Sequence, residues 1–386
     1  MTDSNECQLL IGGRVYAGWR RIDIERSIEH VAGRFRLEVT HRWPGVDVPP
    51  GLREGLACTV KLGDDVVITG YVDEYEPDLT EHSSTICVSG RDRTADLVDC
   101  SAVHKTGAWR GAALERIVKD IAAPFGIRVT VDPDADTGEV FKSFALEDGE
   151  RALDAIDRAC RLRAVLCTST PTGDLLLTTA SAESSGVTLT EGINIKRIRA
   201  VHTWSDRFSL VTVKAQSPGD DQENGAATAH LQARAQDAEI DRYRPLIVLA
   251  EHHTSSKALQ ERAQWEVAVR MGRGKRGFCT VRGWRTEDDG TAGPLWHPNM
   301  LVRIVSDRMN LDADMLIVGC HFEFSDRGRE TVLTFARPDA FELVDGAQRR
   351  RLSRRLGYRV DRDKKHKRQD GFTSPWDLTP PHEVRR

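Results

Sequence analysis

Residues 56–99 read LACTVKLGDDVVITGYVDEYEPDLTEHSSTICVSGRDRTADLVD, and this stretch decides the fold. Two strand-like apolar runs flank the turn Gly63-Asp64-Asp65, where glycine can adopt a positive φ. A polar loop at 78–84 leads into a third strand-like run, Thr85-Ile86-Cys87-Val88. The pattern predicts a three-stranded antiparallel meander.

A second copy of this plan lies near the other end of the chain. Residues 300–343 read MLVRIVSDRMNLDADMLIVGCHFEFSDRGRETVLTFARPDAFEL, again three apolar runs separated by polar turns. Both copies carry a glycine in the second run, an arginine after the third run and a leucine six places further on. These markers are Gly70, Arg91 and Leu97 in the first copy and Gly319, Arg337 and Leu343 in the second. Two unrelated meanders can share turn chemistry, but the internal similarity favours one chain with two similar β-barrels.

The rest of the chain divides around these copies. Alternating apolar residues at 8–43 complete a first β-barrel, so we assign residues 1–100 to it. Composition then changes, and two amphipathic helices, at about 114–122 and 150–162, predict an α+β domain over residues 101–192.

Strand patterns return after residue 192. We assign residues 193–345 to a second β-barrel that a strand–helix insert interrupts at about 241–275. The helix of this insert is expected to begin near Thr254-Ser255 and to end at Gly272. The expected fold class is therefore α+β and mainly β: two similar antiparallel β-barrels, an α+β domain between them and a helical insert in the second barrel.

Length and composition limit the class of protein. A chain of 386 residues can hold two to four domains. No run approaches the roughly 18 apolar residues of a membrane span, and no secretory signal is visible, so we expect folding in a cytoplasm. The eight cysteines form no CxxC pair, which predicts reduced thiols and no zinc site.

The charge of the chain is unevenly distributed. Residues 346–386 form a C-terminal tail, in which positions 349–368 hold eleven Lys or Arg against Asp361 and Asp363, a net charge of +9. Since the whole chain has a net charge of −4, the remainder carries −13. This tail is predicted to dock on an acidic protein surface rather than on nucleic acid, although aromatic residues beside the basic ones leave base stacking open. The candidate partner-binding residues are Arg349, Arg350, Arg351, Arg354, Arg355, Lys364, Lys365, Lys367, Arg368, Phe372 and Trp376.

Motifs of enzymes are absent from the sequence. It contains no GxSxG, GxxxxGK[ST], HExxH or DxDxDG pattern. The acidic cluster of Asp73, Glu74, Glu76 and Asp78 could bind Ca²⁺, but a solvated turn is the favoured interpretation. We therefore predict no catalytic residues, no metal and no cofactor.

The runs VVITGYVDEYEP (66–77) and ICVSGRDRTADLVDCSAV (86–103), with the ending FARPDAFEL (335–343), resemble a known family. They are similar to the baseplate hub proteins of contractile phage tails, and most of all to the Mu-type tail protein (late control protein D class). The order of barrel, α+β domain and split barrel fits the family over most of the chain. The basic tail is the part that fits least well.

The resemblance implies a structural role in a virion tail baseplate, with synthesis in the host cytoplasm. The implied assembly is a homotrimer that contacts the tail tube protein, the spike protein and other baseplate subunits. Three chains with two similar barrels each present six similar units, which would adapt a six-fold tube to a three-fold spike. DNA would only pass through the central channel, whose acidic wall would not hold it.

Two alternatives remain open. One is the spike-hub of a tailocin or of a type VI-like secretion apparatus. The other is a cell-wall hydrolase associated with a hub, which the sequence disfavours because it offers no catalytic pair.

Overall fold

The computed structural model describes residues 6–40, 51–82, 84–163, 165–180, 184–216, 230–250, 256–287 and 290–341. The fold is mainly β, as expected. None of the helices in these ranges is long and apolar enough to cross a membrane.

The N-terminal part contains seven strands, which we call the first β-unit. They are β1 (Cys7–Ile11), β2 (Arg14–Tyr16), β3 (Arg21–Ser27), β4 (Arg34–Thr40), β5 (Ala57–Leu62), β6 (Asp65–Leu79) and β7 (Ser84–Asp92). Inward-facing residues alternate with outward-facing ones along β4 and β7, the period-2 pattern of a strand with one buried face.

The α+β domain follows and packs its helices around a separate core. Its elements are α1 (Ala95–Asp99), β8 (Ala108–Ala112), α2 (Leu114–Ala122), β9 (Val129–Val131), β10 (Phe141–Ala145), α3 (Ala152–Arg161), β11 (Leu166–Ser169) and β12 (Leu175–Thr178). Leu114, Ile117, Val118 and Ile121 on α2 are completely buried, so the predicted apolar helix face is the one that packs. β8 and β10 form a two-stranded antiparallel sheet that sequence analysis did not predict.

The C-terminal part contains the second β-unit and an insert. The second β-unit comprises β13 (Ser184–Thr190), β14 (Ile195–His202), β18 (Lys275–Arg282), β19 (Leu301–Ser306), β20 (Leu311–Ser325) and β21 (Gly328–Ala336). The insert comprises β15 (Leu210–Gln216), β16 (His230–Gln236), β17 (Pro245–Ala250) and α4 (Ser256–Gly274).

The insert is larger than predicted. β15 and β16 lie in residues assigned to the second barrel, but they belong to a separate three-stranded sheet in which β15 is central and pairs with β16 on one side and with β17 on the other. α4 packs Leu259, Ala263 and Val267 on this sheet. The helix ends at Gly274, two residues past the predicted stop at Gly272. A Cβ atom at position 272 would lie only 2.0 Å from the Cβ of Ala340. Gly272 therefore serves a close helix contact and not a helix end.

The prediction of two separate barrels needs a correction. Thirteen strands form one continuous sheet, and no closed barrel is found among the described residues. The two β-units are joined because β3 pairs with β4 on one side and with β20 on the other. They also share one hydrophobic core, which contains residues of both units such as Phe35 and Phe322.

The two units nevertheless repeat the same strand order. Six strands of the first unit are ordered β3-β4-β7-β6-β5-β1, and those of the second β14-β18-β21-β20-β19-β13. The sequence order of the strands is the same in both sets. The three strands of the meander also have equal lengths in both units, 6, 15 and 9 residues.

A β-bulge in the long middle strand aligns the two units. The register between β6 and β7 shifts around Asp73, and that between β20 and β21 shifts around Val318. When these bulges are aligned, Arg91 is equivalent to Ala336, and Gly70 is equivalent to Met315. The markers chosen from sequence are thus displaced from one another: Arg337 falls one position from Arg91, and Gly319 falls four from Gly70. Leu97 is buried in the α+β core, and its proposed counterpart Leu343 lies outside the described residues.

A pair of phenylalanine and glycine is a better marker of the repeat. Phe35 on β4 lies opposite Gly90 on β7, and Gly277 on β18 lies opposite Phe335 on β21. In both units the ring covers the glycine, since a Cβ atom on Gly90 or Gly277 would come within 2.8 Å or 2.0 Å of it. The same cross-strand contact is therefore made with the two residues exchanged between the strands.

Candidate assembly surfaces

The predicted partner-binding residues of the basic tail lie outside the described residues. These are Arg349, Arg350, Arg351, Arg354, Arg355, Lys364, Lys365, Lys367, Arg368, Phe372 and Trp376. Their docking on a protein stays a prediction.

The described residues contain no group of three or more His, Cys, Asp or Glu arranged to hold a metal ion. The cysteines at Cys7, Cys58, Cys279 and Cys320 are buried thiols. Burial raises the pKa of Cys58 and of Cys279 to about 12, so these thiols stay protonated at neutral pH. Their environment is that of core residues and not of nucleophiles.

Arg91 forms one wall of an open cleft of about 400 Å³, beside Tyr71 and Asp96. Its guanidinium group donates to Asp73 and to Asp99, each at 2.7 Å. The hydrogen bond from Arg91 lowers the pKa of Asp99. Arg91 therefore ties β6 to α1, and its charge is already used within the chain.

Asp92 fixes the junction between the first β-unit and the α+β domain. Its buried carboxylate accepts hydrogen bonds from the backbone N–H of Gly33 at 2.7 Å and of Thr94 at 2.9 Å, and from the Thr94 hydroxyl. Burial raises the pKa of Asp92, although these donors oppose the shift. Next to it, Arg93 donates to the carbonyl of Gly126 at 2.6 Å. This cluster acts as a structural anchor.

The acidic cluster lies on a strand and not on the predicted turn. β6 continues to Leu79, and Asp73, Glu74, Glu76 and Asp78 are all exposed along its second half. Glu76 is 3.3 Å from Arg36 on β4. The cluster therefore gives an acidic edge to the first β-unit, which we call the β6 edge (residues 74–79).

A basic edge lies on the second β-unit. β14 pairs with β18 on one side, and no described strand pairs with its other side. Lys196, Arg197 and Arg199 are exposed along it, and the Arg199 guanidinium lies 4.7 Å from the centre of the Phe278 ring. We call the unpaired side of this strand, continued to residue 203, the β14 edge (residues 198–203). Sequence analysis identified the strand but not its exposed basic side, although the spacing of these residues was visible.

The insert exposes apolar residues on its outermost strand. Ile247 and Leu249 on β17 are 58% and 72% exposed. β17 pairs only with β15 among the described strands, so its other edge is also open. This strand is a further candidate for contact with another protein.

Family models of tail proteins match four segments of the chain. Residues 6–92 match the Mu phage baseplate assembly protein GpP-like N-terminal domain, and residues 94–179 match the baseplate hub protein gp44-like second domain. Residues 207–265 match the tail protein NMB1110-like third domain, and residues 255–344 the Mu phage baseplate assembly protein GpP fourth domain.

Individual relatives agree with these matches. The chain is 35% identical over 329 residues to the baseplate hub protein gp44 of Escherichia phage Mu, covering 82% of this chain and 83% of that protein. The 43 kDa tail protein of prophage MuSo2 from Shewanella oneidensis is 40% identical, with a TM-score of 0.77 over 87% of this chain and 100% of that one. The tail protein from Neisseria meningitidis MC58 is 25% identical, with a TM-score of 0.75 over 87% and 99%. From its sequence and its fold, this chain belongs to the family of Mu-type baseplate hub proteins.

Proposed function

We propose that three copies of this chain form the hub of the baseplate, joining the six-fold tail tube to the three-fold spike around a DNA channel. The observation that carries this proposal is the repeated order of six strands in the two β-units. Three chains supply six such units, so one face of the ring can meet six-fold symmetry while the other keeps three-fold symmetry.

Charge supports the position of the DNA in this proposal. Outside the basic segment the chain carries a net charge of −13, so a channel wall built from it would repel the phosphate backbone. The partners are then the tail tube protein, the spike protein and other baseplate subunits. A non-enzymatic role agrees with the names of the relatives, which describe hub and tail proteins.

The basic tail has a separate role in this proposal, namely docking on a neighbouring baseplate protein. Its few apolar residues cannot offset ordering costs of roughly 1–2 kcal/mol per residue, so an ordered state requires a partner. Arginine and carboxylate groups form bidentate pairs, which would give such docking direction. Truncation after Gly346 should leave the trimer intact and reduce its incorporation into baseplates. Normal incorporation of the truncated chain, together with salt-sensitive binding of the full chain to duplex DNA, would contradict the docking role.

The hub of a tailocin or of a type VI-like apparatus is the second candidate. E. coli c3393, a component of the type VI secretion system, matches with a TM-score of 0.54 at 10% identity, a likeness of fold alone. The neighbouring genes distinguish the candidates, because a phage tail requires tube, tape measure and spike genes beside a capsid set.

Light scattering of the purified full chain tests the central assembly. We expect a mass of three times 43.1 kDa at micromolar concentration. A monomer at every concentration, combined with a baseplate density that lacks three-fold order at the hub, would overturn the proposal.

A further inference from the structure

The two β-units of one chain are held together by a strand pair. β3 runs antiparallel to β20, with six pairs from Gly319 opposite Ser27 to Phe324 opposite Ile22. This contact uses the edge of β20 just beyond the end of β19, whose last pair with β20 is Leu301 opposite Leu316. We call it the intrachain seam. It is a head-to-tail contact, because it joins the second strand of one unit to the long strand of the other.

Both counterparts of this seam are present and open. Aligning the bulges at Asp73 and Val318 makes the β6 edge the counterpart of residues 319–324, and this edge lies just beyond the end of β5. The pairs of Phe35 with Gly90 and of Gly277 with Phe335 make residues 198–203 the counterpart of residues 22–27. No strand in the described part of the chain covers either edge. Each chain thus has two equivalent pairs of strand edges. One pair forms the intrachain seam, and the other pair is left open.

Superimposing the intrachain seam on these edges predicts their register. Asp78 comes to lie opposite Arg199, and Leu79 opposite Ile198. The first pair joins opposite charges of two exposed side chains. The second covers Leu79, which is 69% exposed in the single chain. Chemical complementarity and the repeated topology therefore point to the same partner.

We infer that the β14 edge of one chain pairs antiparallel with the β6 edge of the next chain in the trimer. This inference rests on the proposed trimeric hub and names the surface that closes it. The joints around the ring then alternate between intrachain seams and these interchain seams, and head-to-tail contacts of this kind generate a closed ring. An edge strand that carries exposed carboxylates resists pairing with arbitrary strands. Arg199 supplies the basic partner for Asp78 at this edge.

A cysteine pair tests the seam directly. The chain carrying D78C and R199C, in a Cys100→Ser background because Cys100 is an exposed native thiol, is purified and oxidised. In an antiparallel ladder, residues directly opposite one another have Cα atoms about 4.5–5.5 Å apart, within reach of a disulfide. We expect covalent trimers on a non-reducing gel. The matched control pairs R199C with D64C, which places the thiol in the exposed turn at the other end of β6.

Charge exchange gives an independent readout that does not depend on disulfide geometry. D78K or R199E alone should weaken the trimer at least tenfold in dissociation constant, and the D78K/R199E double variant should recover most of the loss. Covalent trimers in the cysteine variant but not in the control, with recovery in the exchange variant, support the seam.

Three results would overturn the seam, and they have different meanings for the hub. A stable trimer by light scattering without cross-links and without charge recovery rejects this seam but keeps the trimeric hub. A chain that stays monomeric and gives no cross-link rejects both. Capture of the β6 edge by the basic tail, seen as a charge-dependent contact within a monomer, would also reject the seam.

Discussion

The first and second β-units have the same strand order but different surroundings. In the first unit, β3 and β4 are joined directly by residues 28–33. In the second unit the corresponding strands, β14 and β18, are separated by the whole insert, from β15 to α4. The first strand of the first unit, β1, pairs antiparallel with β5, whereas its counterpart β13 pairs parallel with β19.

The difference shows which features a duplicated unit must keep. Strand order, strand lengths, the bulge and the Phe–Gly contact persist, whereas connections at the strand ends vary. An insert at a hairpin leaves the sheet register intact, because loop extensions cost little entropy compared with a broken ladder. These shared features would let both units take equivalent places in the proposed ring.

A substitution in the insert is expected to lower the free energy of unfolding the most. Arg207 is buried and donates to Asp237 at 2.7 Å and to Glu239 at 2.8 Å. R207M would leave the buried Asp237 carboxylate without its partner, which costs about 3–5 kcal/mol. We expect the insert to unfold before the two β-units, as an additional transition in a urea series followed by hydrogen exchange. R34A is the control, since Arg34 pairs with Glu25 at the surface and its loss costs less than about 1 kcal/mol.

A single unaltered transition in R207M would show that the insert and the units unfold together. That result would contradict the interpretation of the insert as an independent addition to a duplicated unit.

The Phe–Gly contact gives an intermediate effect and separates the two units. G90A and G277A should each destabilise the chain by about 1–3 kcal/mol, because the added methyl group overpacks a filled site. At Gly277 the three nearest atoms belong to the Phe335 ring, so F335L should recover part of the loss in G277A. At Gly90 the nearest atom is the backbone oxygen of Tyr71, at 2.1 Å, so F35L should not recover G90A. Urea denaturation of the four variants measures both outcomes, and equal recovery in the two units would contradict this account of the contact.

A histidine in the intrachain seam, His321, is expected to have the smallest effect on stability, and this effect depends on pH. Burial alone would lower the pKa of His321, but the hydrogen bond and charge of Asp23, with Glu323 and Glu25, raise it above its ordinary value. A histidine with a raised pKa in the folded state adds stability that is complete below its unfolded pKa and is lost as pH rises through the folded pKa. The chain should therefore lose stability as pH rises above about 6.5, the ordinary pKa of histidine.

H321Q should remove this part of the pH dependence, and unfolding curves at several pH values would measure it. His321 aligns with Glu76, so this histidine has no counterpart on the β6 edge. A pH profile unchanged by H321Q would show that another group titrates in this range.

Sequence periodicity predicted most elements of both units but not how they are joined. The alternation in β4 and the turn at Gly63 depend on local chemistry, so they were visible. The pairing of β3 with β20 joins residues nearly 300 positions apart, and no local pattern encodes it. The two-barrel arrangement is not confirmed among the described residues, because this pairing joins the two units into one sheet.

The candidate surfaces were predicted less well than the elements. Arg91 and Arg337 were chosen because both follow a strand, but the register depends on a bulge at Asp73, which sequence does not reveal. The acidic residues of β6 suggested a turn, because charges are rare in buried strands, whereas an open edge tolerates them. The Phe35–Gly90 contact was hidden because its counterpart exchanges the two residues between strands.

Electron cryo-microscopy of the purified full chain tests the central claim most directly, since it shows where the two β-units lie in the assembly. We predict a three-fold ring in which first and second β-units alternate about every 60°. All six units should lie at the same height and radius around a continuous channel. Units at different heights or radii, or a ring closed by contacts of one unit type only, would contradict it.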